Sequence, residues 1–371
     1  MSAVSEVRTI KISEAKKHIT RVLKKKRPVF LWGPPGIGKS ELIESIGSSG
    51  SLGSSFVIDM RLALFEPTDL RGYPVPDVAS GVMKWLPPAD LPTAEMAAKY
   101  DTIILFLDEL NSAAPSVQAA AYQLVLNRRI GQYVLPDNVV VVAAGNRETD
   151  KGVTYRMPKP LENRFVHFEL RVDFDDWLTW AVAPENNINP DIVGYLSFAK
   201  GDLYNFDPSS SSRGFATPRS WTFTSEMLED GEDMTESELV DLVAGCVGEG
   251  IAIKFAAHRK VAQDMPNPTD ILKGKVKTMK SKEISAMYSL ATNLCYELRE
   301  MYIAGEKAKS LDKFHAGFSN FISFMLDNFE TEMTVMASRI AMKNYKLVPK
   351  QDKIDRFEEY FGRYGRLVLD S

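Results

Sequence analysis

The chain has 371 residues, 44% of them hydrophobic, enough for a sizeable core and two or three domains. Its formal net charge of −4 argues against indiscriminate binding of nucleic acid over the whole surface. No apolar run is long enough to cross a bilayer, and the two cysteines, Cys246 and Cys295, lack metal-ligand spacing and read as buried free thiols.

Met1 to Val7 offers no apolar signal core, so the expectation is a soluble, reducing, cytoplasmic setting. Ile12 to Leu23 has the spacing of an amphipathic helix with Ile12, Ala15, Ile19, Val22 and Leu23 inward. The basic run Arg21–Arg27 is then its solvated end, with a nucleic-acid contact as the competing reading. Arg27 to Trp32 is a short apolar run suited to a buried parallel strand, and Lys39 to Ile46 carries Leu42, Ile43 and Ile46 at helical spacing.

Between strand and helix lies Gly33-Pro34-Pro35-Gly36-Ile37-Gly38-Lys39-Ser40, followed by Glu41. The three glycines let backbone N–H groups and the positive end of the helix face a phosphate. Lys39 is placed to reach the β- and γ-phosphates of a nucleoside triphosphate, and the Ser40 hydroxyl to ligate Mg²⁺.

Residues 60–92 are too punctuated by proline and glycine for one regular element. Ile103 to Leu107 then reads as a strand buried on both faces, delivering Asp108 and Glu109 at its carboxyl end. Asp108 suits the Mg²⁺ shell, and Glu109 suits a base that polarises water. Residues 127–136 resemble a hairpin turning near Gly131. Tyr133 and Arg129 of this hairpin, and Trp85 of the punctuated segment, are either client-gripping side chains or packed loop residues.

A third strand, Asn138 to Gly145, ends in Asn146, whose amide can hold water or the γ-phosphate. Arg164 precedes an apolar-aromatic segment, Phe165 to Phe168, that reads as the next core strand; its guanidinium suits transition-state charge or a structural salt bridge. Arg128, Arg129, Arg147 and Arg156 are further candidates for contacts with a neighbouring subunit, unranked by sequence.

Helical periodicity takes over near Val172. Trp177, Trp180 and Ala181 share a helical face, and Arg219 falls just inside a helix start marked by Pro218, with Arg213 beside the flexible serines 209–212 as its competitor. Leu242, Val243, Cys246, Val247, Ile251 and Phe255 form a single stripe; further helical faces run through Ile284 to Leu298, Phe318 to Leu326 and Met333 to Ile340. Met325, Met333, Met336 and Met342 suit an adaptable surface or a helical core.

The stretches GPPGIGKS, FLDELNSAAPSVQAAAYQLVLNRRIG, VVVVAAGN, PLENRF and ATPRSW, in this order over residues 25–225, resemble an AAA+ ATPase, most closely the MoxR-like branch that includes the CbbQ and NorQ types. The branch pattern has Asn-Pro and Asp-Arg-Phe where this chain has Asn146-Arg147 and Asn163-Arg164-Phe165. The resemblance implies Asn146 as first sensor, Arg164 as the finger reaching a neighbour's γ-phosphate, and Arg219 as second sensor on the lid. It also makes 60–92 a helix-two-type insertion directed at a pore and 127–136 a pre-sensor-type hairpin.

The expected fold is α/β, a P-loop AAA+ core with a parallel sheet in an αβα sandwich over 1–172, followed by a helical lid at 173–275. A helical extension or enlarged lid at 276–371 completes it. The expected protein hydrolyses ATP with Mg²⁺ as a homo-oligomeric ring, by resemblance a hexamer, and remodels a protein partner, typically one with a von Willebrand factor A domain. A nucleic-acid motor or loader is the alternative, and a small-molecule P-loop kinase ranks last because it has no evident use for Glu109, Asn146 and Arg164 in this order. Nothing in the sequence reads the base, so GTP stays open.

Overall fold

A computed structural model describes residues 8–150, 154–207, 209–210, 212–229 and 234–369; the expectations for residues 1–7 and for Ser211 lie outside these. The chain divides into two compact units, Met1–Asp173 and Phe174–Ser371.

The first unit runs β1 (Thr9–Ile10), α1 (Ile12–Leu23), β2 (Val29–Trp32), α2 (Lys39–Ser48), β3 (Ser55–Arg61), α3 (Pro67–Arg71), β4 (Tyr73–Asp77), β5 (Val82–Leu86), α4 (Ala94–Lys99), β6 (Thr102–Asp108), α5 (Pro115–Asn127), β7 (Arg129–Ile130), β8 (Tyr133–Val134), β9 (Val139–Gly145), α6 (Lys159–Glu162) and β10 (Val166–Leu170). Six strands pair in parallel in the order β1-β10-β2-β9-β6-β3. The runs of Val, Ile, Leu and Phe in β2, β6 and β9 follow from burial on both faces. On one face, Val117, Ala121 and Leu124 of α5 cluster with Phe30, Leu105, Leu107 and Val141. On the other, α2 crosses so close that a Cβ on Gly47 would lie 2.7 Å from Val57 Cγ2.

This topology positions the site. Trp32 pairs with Gly145, and Leu107 with Ala143, so β2, β6 and β9 end together along one edge. That edge receives the glycine loop, the acid pair and Asn146, at the carboxyl ends where open parallel sheets bind ligands.

The 60–92 segment is less irregular than its composition suggests. Met60 and Arg61 complete β3, α3 follows, and β4 and β5 form an antiparallel hairpin. Gly72, at φ +82, is obligatory at its base, because a Cβ there would sit 1.8 Å from the Leu86 carbonyl oxygen. Tyr73, Val78, Val82, Met83 and Leu86 of this hairpin are exposed, Val78 at 90%. Trp85 is half-buried under the Arg71 guanidinium, 5.1 Å from its ring centroid.

The second unit contains α7 (Phe174–Ala181), α8 (Pro190–Phe198), α9 (Pro218–Glu229), α10 (Glu236–Val247), α11 (Glu249–Gln263), α12 (Pro268–Leu272), α13 (Ile284–Ala308), α14 (Asp312–Asn328), α15 (Thr331–Arg339), a π-helical turn at Ile340–Asn344, and α16 (Phe357–Leu369). The long α13 is its centre: Leu290, Ala291, Leu294 and Leu298 are buried, and Gly194 lets α8 approach so closely that a Cβ would lie 2.7 Å from Ser289 Cα. Helices from 173–275 and 276–371 therefore pack within one compact unit.

The stripe from Leu242 to Phe255 is not one helix. Gly248, at φ 92 and ψ 150, ends α10 and starts α11, a backbone state open to glycine that no hydrophobic pattern reveals. Cys295 is buried as expected, whereas Cys246 is only partly buried. Ile284, assigned inward by spacing, opens α13 and is exposed, while Met325 and Met333 belong to the core.

His258 on α11 is buried beside Tyr195, and neither ring nitrogen has a hydrogen-bond partner among the described residues. Burial pulls its pKa down to about 4, against a partial opposing pull from Asp191. Between pH 6.5 and about 4 the unfolded chain takes up a proton that the folded chain refuses, so stability falls as pH falls, by about 3 kcal/mol across the window. Chemical denaturation at pH 7 and pH 4.5 should show this loss for the wild type and a smaller one for His258→Phe.

Candidate active site

The glycine loop leaves β2 at Gly33 and turns through Gly36 and Gly38, at φ +75 and +94, into α2. Pro34 and Ile37 are buried, Pro35 and Ser40 half-buried and Glu41 exposed, so the loop is seated on the protein by its apolar members. Lys39 Nζ donates to the carbonyl oxygens of Gly33 (2.7 Å) and Pro34 (3.1 Å) and to Asn146 Oδ1 (3.2 Å). The Ser40 hydroxyl donates to Asp108 Oδ2 at 3.2 Å, while Asp108 Oδ1 accepts the Glu109 backbone N–H at 2.9 Å. Lys39, Ser40, Asp108 and Asn146, separated by up to 107 positions in sequence, thus share one hydrogen-bonded cluster.

Glu109 is half-buried next to it, at φ 55 and ψ 33. A left-handed backbone is unfavourable for a glutamate and is retained where surrounding structure imposes it, often at functional sites. A hydroxyl and a carboxylate in contact fit Mg²⁺, which binds through one or two carboxylates together with substrate phosphates and water. Among the described residues no group of three or more His, Cys, Asp or Glu could hold a metal ion by itself.

Other predicted residues lie outside the cluster. Arg164 follows α6 in a turn, is exposed, and its guanidinium has no hydrogen-bond or ion-pair partner among the described residues. The salt-bridge reading of Arg164 thus finds no partner there. Arg219 is the second residue of α9, in the second unit. Arg147 is engaged at home: it bonds both Asp150 oxygens, at 2.9 to 3.2 Å, and approaches Glu169 at 3.5 Å. Arg128 caps α5 and closes the β7–β8 hairpin by donating to the Pro136 and Val139 carbonyls at 2.7 and 3.0 Å. Tyr133 is packed, with its hydroxyl on the Pro92 carbonyl at 2.6 Å and burial pushing its pKa up to about 12. Arg129 remains exposed.

Two residues escaped the sequence reading. Asp59 lies on β3, a strand whose mixture of Ser, Asp and Arg hid it; burial and then the Asp108 charge raise its pKa, with Arg61 opposing and Glu109 adding. Asn111 is 3% exposed, and its side-chain amide donates to the Asn146 carbonyl at 2.7 Å. Beside it a cavity of about 350 Å³ is bounded by Trp32, Arg147, Tyr155, His167 and Glu169.

Residues 28–165 match the family model of the AAA domain, dynein-related subfamily. That stretch lies within the P-loop unit and carries the glycine loop, the acid pair and Asn146. Among curated proteins the chain is similar to Midasin of Giardia intestinalis, 28% identical over 186 residues, which are 48% of this chain and 4% of that much longer relative. Among solved structures it is similar to NtrX from Brucella abortus in complex with ADP, at 14% identity and a TM-score of 0.40, covering 90% of this chain and 68% of that one. It is also similar to the RuvB Holliday junction branch migration motor of Thermotoga maritima, at 16% identity and a TM-score of 0.34, covering 76% and 80%. Among the described residues no helix is long and apolar enough to cross a membrane.

Proposed function

We propose that the protein is a ring-forming, cytoplasmic ATPase of MoxR-like character that spends ATP hydrolysis on remodelling a protein partner. Lys39 and the loop amides bind the phosphates, Ser40 and Asp108 hold Mg²⁺, Glu109 orients and polarises water, and Asn146 fixes it or the γ-phosphate. Bound Mg²⁺ supplies charge neutralisation at the phosphates. Arg164 of a neighbouring copy contributes the cation that stabilises the transition state, and by resemblance Arg219 is the second sensor.

The observation that carries this reading is Arg164 itself, an exposed arginine whose guanidinium has no partner among the described residues. It stands just before β10, where Val166 pairs with Val29, at the opposite end of the strands from the chain's own glycine loop and so unable to serve that loop itself. For the client, the exposed side chains of the β4–β5 hairpin favour protein over nucleic acid: they are apolar and aromatic, and its one salt bridge, Lys84 with Asp77, leaves no net positive charge there. By resemblance the assembly is a hexamer and the partner carries a von Willebrand factor A domain.

The test is ATP turnover per protomer against protein concentration, with and without polynucleotide. The rate should rise with concentration, as it must where two copies share a site, and should be indifferent to DNA or RNA. Stimulation by polynucleotide that fades with added salt would instead mark a nucleic-acid motor.

A further inference from the structure

We infer that Asn111 is a positioning residue for hydrolysis: it locks the Glu109 turn onto the tip of β9 and so sets the spacing between water-polarising carboxylate and sensing amide. The inference rests on the roles proposed above for Glu109 and Asn146.

Asn111 sits two residues after Glu109, inside the 3-10 turn Leu110–Ser112. Its Nδ2 donates to the backbone carbonyl of Asn146 at 2.7 Å, which also fixes the amide's orientation, since only the NH₂ can face a carbonyl. Its own backbone carbonyl accepts the N–H of Tyr155 at 2.7 Å, tying in the loop after Asn146. The fit is close. A Cβ at Gly145 would lie 2.2 Å from Asn111 Oδ1 and 3.0 Å from Phe30 Cζ, so the residue before Asn146 is kept bare chiefly for the Asn111 side chain.

The backbone of Asn146 is thereby held by Asn111 while its side chain accepts from Lys39 at 3.2 Å. Glu109 cannot relax from its left-handed conformation without moving the turn that Asn111 anchors. One buried amide thus joins the ends of β6 and β9, which β-sheet pairing alone leaves free beyond Asp108 and Gly145. Catalytic groups need this kind of support, because displacement by about 1 Å can cost on the order of 100-fold in rate.

The test compares Asn111→Asp, which keeps shape but replaces the donor with an acceptor, with Gly145→Ala, which pushes the side chain away. Assayed well below the Tm of each variant, each should lower kcat by about 10- to 100-fold while the Kd for ATP, measured with fluorescent nucleotide, stays near wild type. Asn111→Ala removes the two closest approaches to the added methyl and leaves, of the three nearest atoms, only Phe30 Cζ at 3.0 Å, so Asn111→Ala/Gly145→Ala should be much less slowed than the product of the two single losses. Wild-type kcat in Asn111→Asp, additive losses in the double variant, or losses of kcat that merely track Tm would overturn the inference. Glu109→Gln run alongside separates the two levels: if it still turns over ATP, the parent reading fails, whereas an inactive Glu109→Gln beside a fully active Asn111→Asp sinks only the positioning role.

Discussion

Glu109→Gln should bind ATP as the wild type does and turn it over about 10²- to 10⁴-fold more slowly, the range lost when a general base is removed. The substitution keeps size and hydrogen-bonding capacity but removes the carboxylate proposed to polarise water. Asp108, directly before it, is engaged on both carboxylate oxygens, by Ser40 and by the following backbone N–H, so under the proposed roles it is not expected to stand in. Single-turnover hydrolysis with an independent measurement of bound nucleotide checks both halves. Near-normal turnover would remove Glu109 from the mechanism, and loss of binding would make it a structural acid.

Arg164→Ala should assemble and bind ATP yet lose on the order of 10³-fold or more in hydrolysis, the scale of an arginine supplied in trans. Since the Arg164 guanidinium has no partner among the described residues, its removal should leave the protomer's stability unchanged, unlike Arg147, whose loss would strand Asp150 and Glu169. The decisive form is a mixture. Lys39→Ala supplies intact Arg164 but cannot bind phosphate well; Arg164→Ala supplies an intact phosphate site. Neither should turn over alone, and together they should recover activity at the mixed interfaces. No recovery would remove Arg164 from that role and bring Arg156 and Arg129 forward, both exposed and both on the same unit.

The central chemistry was legible because strands buried on both faces leave unbroken apolar runs, and three of them end in Gly33, Asp108 and Asn146. The flanking strands were not. β3 at one edge mixes Ser, Asp and Arg with apolar residues, and β1 at the other is two residues long, so neither stands out from loop sequence. The break at Gly248 was invisible for another reason: the apolar stripe is continuous in spacing, and only the backbone angle separates the helices. Arg147 carried a clue in Asp150 three positions on, while Asn111 carried none, since its partner is a main-chain carbonyl 35 residues away.

The glycine loop holds its bend through its own ammonium: Lys39 is clasped by two carbonyl oxygens of the turn that it is meant to serve. An incoming phosphate therefore meets a socket already in shape and has only to draw one flexible side chain outward, which spares the ordering entropy that a floppy loop would exact on binding. The same clasp gives Lys39→Ala a double defect, a missing cation and a slackened socket. In mixed assemblies such a protomer is expected to act as a lender of arginine alone.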